Sequence, residues 1–228
     1  MSVVTWTPRV VEVTGQFGSA SNITLLGLTE DGTKVVYKPV AGERPLWDFP
    51  PETLASREVL TYLVSEILSA GLVPETVVAD GPYGKGAVQR YLEPDRTFDS
   101  IDLVRVGSPS LWPIALLDVV CNNADRKLGH ILASKGRLFA IDHGLTFHPA
   151  DKLRTVLWGF GGKRFPSDLV DALALLRERV IGELGGAVAE ALGPGEATAL
   201  LDRVTALLAD PTHPAPPEDR PPVPWPPY

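Results

Sequence analysis

The hydrophobic pattern changes character along the chain. In the first third, short apolar runs alternate with turn residues. Val10-Val11-Glu12-Val13, Asn22 to Leu28 and Lys34 to Lys38 read as strands, with Glu30-Asp31-Gly32 turning between the last two. Apolar, β-branched segments on either side of Asp-Gly are a hairpin signal. A loop rich in Pro, Gly and Trp runs from Pro39 to Pro51. From Thr53 to Ala70 the period becomes helical. Leu54, Val59, Leu60, Leu63, Val64, Ile67 and Leu68 share a broad face, and Gly71 ends the run. Val73 to Val78 and Gly86 to Leu92 predict two more strands around Asp80-Gly81-Pro82-Tyr83-Gly84. Asp95 to Pro109 reads as a polar connection.

Helical periodicity dominates the second half. Leu111 to Asn122 predicts an apolar helix. Ile131 to Ala133 and Leu138 to Ile141 predict two very short strands around Lys135-Gly136. Leu169 to Ala191 and Glu196 to Ala209 predict helices, the first kinked or divided at Gly185-Gly186. Half of residues 211–228 are proline, which excludes a helix or a central strand and favours an extended backbone. This segment reads as a tail outside the fold, either a solubilising or loosely docked terminus or a PxxP-type ligand at Pro221 to Pro224. The expected class is therefore α+β and two-lobed. Residues 1–93 form a β-rich lobe with one helix, residues 94–210 a mainly helical lobe, and residues 211–228 the proline-rich tail. Ligands tend to sit between such lobes.

Composition narrows the partners. The chain has 228 residues, 44% of them hydrophobic, enough for a core without disulfides or structural metal. A net charge of −7 argues against wrapping nucleic acid and against anionic lipid headgroups, so no nucleic acid and no stable membrane association are expected. The lone cysteine, Cys121, sits in an apolar helix, reads as a core residue and fits a reducing compartment. The N-terminus lacks a basic start followed by an apolar run, and Leu111 to Cys121 is broken by Pro113 and Asp118. A cytoplasmic protein is expected.

The chemistry concentrates in five places. Gly15-Gln16-Phe17-Gly18-Ser19-Ala20-Ser21 lies between two strands, where small residues let backbone N–H groups approach an anion; most such loops are only turns. Lys38 ends an apolar strand and can point into a cleft or snorkel to water. Glu58, on the helix, can pair with it. Asn122 to Leu132 forms a dense polar run between an apolar helix and an apolar strand, and Asp142 ends the next strand before His143-Gly144. Asp125 and Asp142 at the ends of neighbouring elements can share a cleft. One would then face an acceptor hydroxyl while the other holds a cation on phosphates; alternatively each merely caps a loop. Trp47, Trp112 and Trp158 read as packing residues.

This order of glycine loop, strand lysine, helix glutamate, Asp-Arg loop and Asp-x-Gly resembles the protein-kinase-like superfamily, in particular its phosphatidylinositol 3-/4-kinase branch. The matching residues are Asp125-Arg126-Lys127 and Asp142-His143-Gly144. The run Ala124 to His130 is also similar to a family of small actinobacterial kinase-like proteins. The resemblance implies an ATP-dependent phosphotransferase with Mg²⁺ or Mn²⁺. Gly15, Gly18, Ser19 and Ala20 would cover the phosphates. Lys38 would contact the α- and β-phosphates, with Glu58 as its partner. Gln89, Arg90, Tyr91 and Leu92 would form the adenine hinge, Asp125 would face the acceptor and Asp142 would bind metal. The acceptor expected is a soluble hydroxyl compound, a protein (itself included) or a small metabolite.

One position departs from the pattern. His130 stands where the family carries a metal-binding asparagine. It could bind metal, with Mn²⁺ better suited to imidazole than Mg²⁺. It could instead contact phosphate, or mark a lost metal site, or be purely structural. The alternative reading is therefore a nucleotide-binding pseudokinase acting as a regulatory or scaffolding module. An aminoglycoside-type phosphotransferase ranks last, because Asn123-Ala124-Asp125 lacks the histidine that family carries.

Overall fold

A computed structural model describes residues 6–18 and 22–228. The first lobe is a five-stranded antiparallel sheet ordered β1-β2-β3-β5-β4, comprising β1 (Val10–Gln16), β2 (Leu25–Thr29), β3 (Lys34–Pro39), β4 (Thr76–Gly81) and β5 (Gly84–Arg90). Helix α1 (Leu54–Leu68) interrupts it between β3 and β4. Strand alternation sets the sheet's two faces. Val35 and Tyr37 of β3 and Val88 of β5 join a small buried cluster with Val10, Leu25 and Val77. Val36 and Lys38 therefore point to the opposite face. Close approach of β5 to β3 at this point requires glycine. A Cβ at Gly86 would lie 2.3 Å from the Lys38 carbonyl oxygen.

The second lobe holds α2 (Ser100–Val106), α3 (Trp112–Cys121), the hairpin β6 (Ile131–Ser134) and β7 (Arg137–Ala140), then α4 (Ser167–Ile181), α5 (Glu183–Ala191) and α6 (Pro194–Ala209). The main core unites α3 to α6 with Leu60, Val64 and Leu68 of α1. The first lobe's only α-helix, among the described residues, is thus packed into the second lobe's core. No single helix among the described residues is long and apolar enough to cross a membrane.

Several expectations change. The connection at 95–109 contains α2, capped by the Asp99 carboxylate at Ile101 N–H (2.8 Å) and closed by Gly107 at φ 63°. The break expected at Gly185-Gly186 falls at Gly182, which separates α4 from α5. Residues 211–228 lie on the fold rather than outside it. Proline cannot donate, but its carbonyl accepts. Pro211 O takes the Phe165 N–H (2.8 Å), Pro222 O takes those of Thr155 (3.1 Å) and the Trp158 indole (2.7 Å), and Pro227 O takes that of Leu128 (2.8 Å). His213 is fully buried beneath Trp158, Phe160 and Phe165. Trp47, expected to pack, is 89% exposed, with the Lys152 ammonium over its ring.

Candidate active site

The face of β3 opposite the small cluster delivers Lys38 to the junction of the lobes. Its Nζ bonds the Glu58 carboxylate of α1 and, at 2.8 Å, Asp142 Oδ1 just beyond β7. Burial disfavours the charged lysine, but Asp142 and Glu58 overrule it and hold Lys38 protonated, above its ordinary range. Burial likewise works against the ionised form of Asp142. The Lys38 ammonium overrides it and keeps the carboxyl well below the usual carboxylate range.

The polar run after α3 is shaped by one buried side chain. Asn122 ends α3 in the left-handed region (φ 53°). Asp118, fully buried on the helix, then receives Arg126 (2.9 Å), Asn123 Nδ2 (2.9 Å) and Thr155 Oγ1 (3.1 Å). Arg126 also donates to Ile141 O (2.9 Å) and to His143 Nε2 (2.8 Å). This network fixes the backbone on either side of Asp125 and leaves its side chain 25% exposed. Burial raises the Asp125 carboxyl; Asp142's charge adds to this, while Lys127 and Arg154 oppose it.

His130 connects the two aspartates. Its Nδ1 lies 2.9 Å from the Asp125 carbonyl oxygen and its Nε2 lies 3.2 Å from Asp142 Oδ2. Burial depresses its pKa to about 4, so the ring is neutral near pH 7. A carbonyl can only accept, so the single ring proton sits on Nδ1. Nε2 then turns a lone pair toward Asp142 Oδ2. Two lone pairs in contact repel unless a cation lies between them, and this donor pair suits a divalent metal. No group of three metal-ligating side chains exists among the described residues. Completing the coordination would fall to phosphate oxygens and water, as is usual where one or two side chains hold a metal on a nucleotide.

The structure brings Lys38, Glu58, Asp125, His130 and Asp142 into one bonded constellation. Gln89 is buried, its Nε2 bonded to Thr76 Oγ1 (2.9 Å). The N–H groups of Arg90 and Tyr91 are engaged by Glu75 O and Lys34 O, so a hinge donor would come from Leu92 or beyond. Gly15 lies in β1, and a Cβ at Gly18 would meet nothing within 4 Å among the described residues. Ser19 and Ala20 lie outside the described residues. Two contributors went unread in the sequence. Lys127 pairs with Asp125 Oδ2 (3.3 Å), and Asp118 hides in an apolar helix where a buried acid would have been the signal. Cys121 is buried in the core and its thiol is pushed up to about 12, as expected of an inert residue.

The fold is protein-kinase-like. Solved structures of similar fold include the proinflammatory kinase CtkA of Helicobacter pylori (TM-score 0.56, 13% identity, 90% of this chain and 95% of that one). The Golgi casein kinase with Mn/ADP bound matches at TM-score 0.58 and 14% identity, covering 89% of this chain and 72% of that one. Hydra Fam20 with sugar matches at TM-score 0.54 and 14% identity, covering 89% and 84%. No family model matches the sequence. Protein Rv2133c of Mycobacterium tuberculosis is 38% identical over 253 aligned positions, spanning 94% of this chain and 91% of that protein. The chain belongs to the family of that protein.

Proposed function

We propose that this chain is an ATP-dependent phosphotransferase that moves the γ-phosphate to a hydroxyl of a soluble acceptor, with PI3/PI4-kinase-like site motifs. The observation that carries the proposal is Lys38 held between Glu58 and Asp142, with His130 joining Asp142 to Asp125. Phosphoryl transfer asks mainly for positioning and charge neutralisation. Lys38, fixed by Glu58, meets the α- and β-phosphates. Asp142 and His130 hold Mg²⁺ or Mn²⁺, which when bound neutralises phosphate charge. Asp125, whose carboxyl is raised toward the range useful for a base, accepts the proton of the acceptor hydroxyl. Lys127, beside Asp125, faces the transferring phosphoryl group. The glycine loop at Gly15 and Gly18 covers the phosphates, and Gln89 to Leu92 border adenine.

Calorimetry with ATP and MnCl₂, followed by transfer from labelled ATP, tests the proposal. The wild-type chain binds and transfers, and Asp142→Ala loses metal-dependent binding. Turnover of ATP by Asp142→Ala at the parent rate would overturn the site. Binding without transfer under any metal would instead mark a pseudokinase. Labelled ATP alone tests self-phosphorylation, and label entering lipid would contradict a soluble acceptor.

A further inference from the structure

A cavity of about 400 Å³ opens among the end of α3, the segment 149–158, α6 and the proline-rich segment. None of Lys38, Glu58, Asp125, Lys127, His130 and Asp142 lines it. Its volume falls at the lower end of the roughly 300–1,000 Å³ of small-molecule clefts. Val119, Leu153 and Trp158 supply apolar wall, and two arginines, Arg203 and Arg220, supply charge.

Those arginines are incompletely matched. Arg203 gives Nε to Val120 O (2.9 Å) and Nη1 to His148 O at a long 3.4 Å. Its Nη2 is shut away from solvent with no hydrogen-bond partner among the described residues, as is Nε of Arg220. An unmade bond at a buried donor costs on the order of 1–3 kcal/mol. Arg220 has Asp151 at 2.7 Å and Asp219 at 3.4 Å as counter-ions, whereas Arg203 forms no ion pair among the described residues. Burial lowers the Arg203 guanidinium from its ordinary pKa, although the nearby charges of Asp151 and Asp202 oppose the shift. Water could satisfy an N–H there but not the charge. Two carboxylates also line the recess: Asp151, engaged by Arg220, and Asp202, exposed on α6.

We propose that this cavity binds a small organic anion, a carboxylate or phosphate monoester with an apolar body. Its head is taken by the guanidinium groups of Arg203 and Arg220, which suit planar, two-point recognition of such groups. Its body lies against Val119, Leu153 and Trp158. The site is separate from the one that carries the kinase reading and stands if that reading fails.

Titration calorimetry of the full chain with phenyl phosphate tests it, with benzyl alcohol as the uncharged control. Phenyl phosphate binds and benzyl alcohol does not. Arg203→Gln weakens binding by about tenfold or more, equivalent to roughly 1.4 kcal/mol. Because Arg203→Gln can disturb α6, Ala199→Leu serves as a second variant. It keeps every charge, fills the recess and abolishes binding without lowering the melting temperature. Three results would overturn the proposal: no binding to wild type, equal binding to wild type and Ala199→Leu, or loss in Asp142→Asn with retention in Ala199→Leu. The last would place the anion in the candidate nucleotide site.

Discussion

Asp142 sits at φ 61°, a left-handed conformation that aspartate tolerates better than most residues. That turn lets one carboxylate answer two elements, Lys38 on β3 with Oδ1 and His130 after α3 with Oδ2. Replacing His130 therefore tests the metal directly. His130→Asn restores an oxygen donor and shifts the Mg²⁺:Mn²⁺ preference in ATP binding toward Mg²⁺, whereas His130→Ala weakens metal-dependent binding with either ion. Equal metal preference in the parent and His130→Asn would remove His130 from the site. Asp125 carries a separate prediction. Asp125→Asn keeps ATP binding and loses transfer by about 10²–10⁴-fold, the range for a positioned base. In the parent, transfer falls on the acid side as Asp125 takes up its proton, at a pH above that of an ordinary aspartate. The acid limb is absent from whatever activity Asp125→Asn retains. These residues were legible because motif order places them. Asp118 was not, since a carboxylate in a run such as Leu116-Leu117-Asp118-Val119-Val120 signals only that it needs a partner, and Arg126 becomes that partner only in three dimensions.

Helix α1 presents Glu58 to Lys38, and its own placement rests on neighbouring side chains. Arg57, fully buried, donates to Thr146 O, donates Nε to Thr53 Oγ1 (3.1 Å) and approaches Glu196 of α6 at 3.6 Å. Thr61 Oγ1 meets Thr146 Oγ1 at 3.1 Å. Together with Leu60, Val64 and Leu68 in the main core, these contacts fasten the helix to the second lobe. Arg57→Met removes one member of a buried pair and destabilises the fold by about 3–5 kcal/mol in urea unfolding, because Glu196 is left uncompensated. A loss below about 1 kcal/mol would mean that Arg57 is no more than a surface ion pair in effect. At this scale the sequence was readable wherever periodicity or turn chemistry was local. Lys135-Gly136, both at positive φ, make the two-residue turn of the β6–β7 hairpin, and Asp95 caps both turn amides at 3.0 Å. Helix α2 was hidden because seven residues between polar loops give too short a period, although Asp99 and Gly107 bracket it as caps. The proline-rich segment was misread for another reason. It has no hydrophobic period of its own, and it adheres through carbonyls that sequence patterning ignores.

Across the whole molecule, three histidines, two of them fully buried, are held in forms that resist protonation. Burial depresses His143 well below its ordinary pKa, reinforced by the charge of Arg126, and it lowers His130 and His213 as well. The geometry agrees at His143. Arg126 donates to its Nε2 at 2.8 Å, so a proton there would break the bond and set two cations together. At His213, Nδ1 donates to Pro214 O while Nε2 is buried among aromatic rings without a hydrogen-bond partner among the described residues. Above about pH 6.5 the imidazoles are neutral in both folded and unfolded chains, and stability does not depend on them. Below it the unfolded chain binds protons that the folded chain refuses. Stability therefore falls with pH, by up to about 1.4 kcal/mol per unit for each histidine until its folded pKa is reached. Urea unfolding followed between about pH 7.5 and about pH 5 should show the midpoint dropping steadily on the acid side. His213→Leu removes one titrating group and flattens that slope, while truncation after Asp210 removes the same group together with the contacts it anchors. Truncation therefore lowers the midpoint at every pH and flattens the slope to the same degree. A slope unchanged in His213→Leu would show that the imidazole titrates freely, and that the proline-rich segment does not bury it.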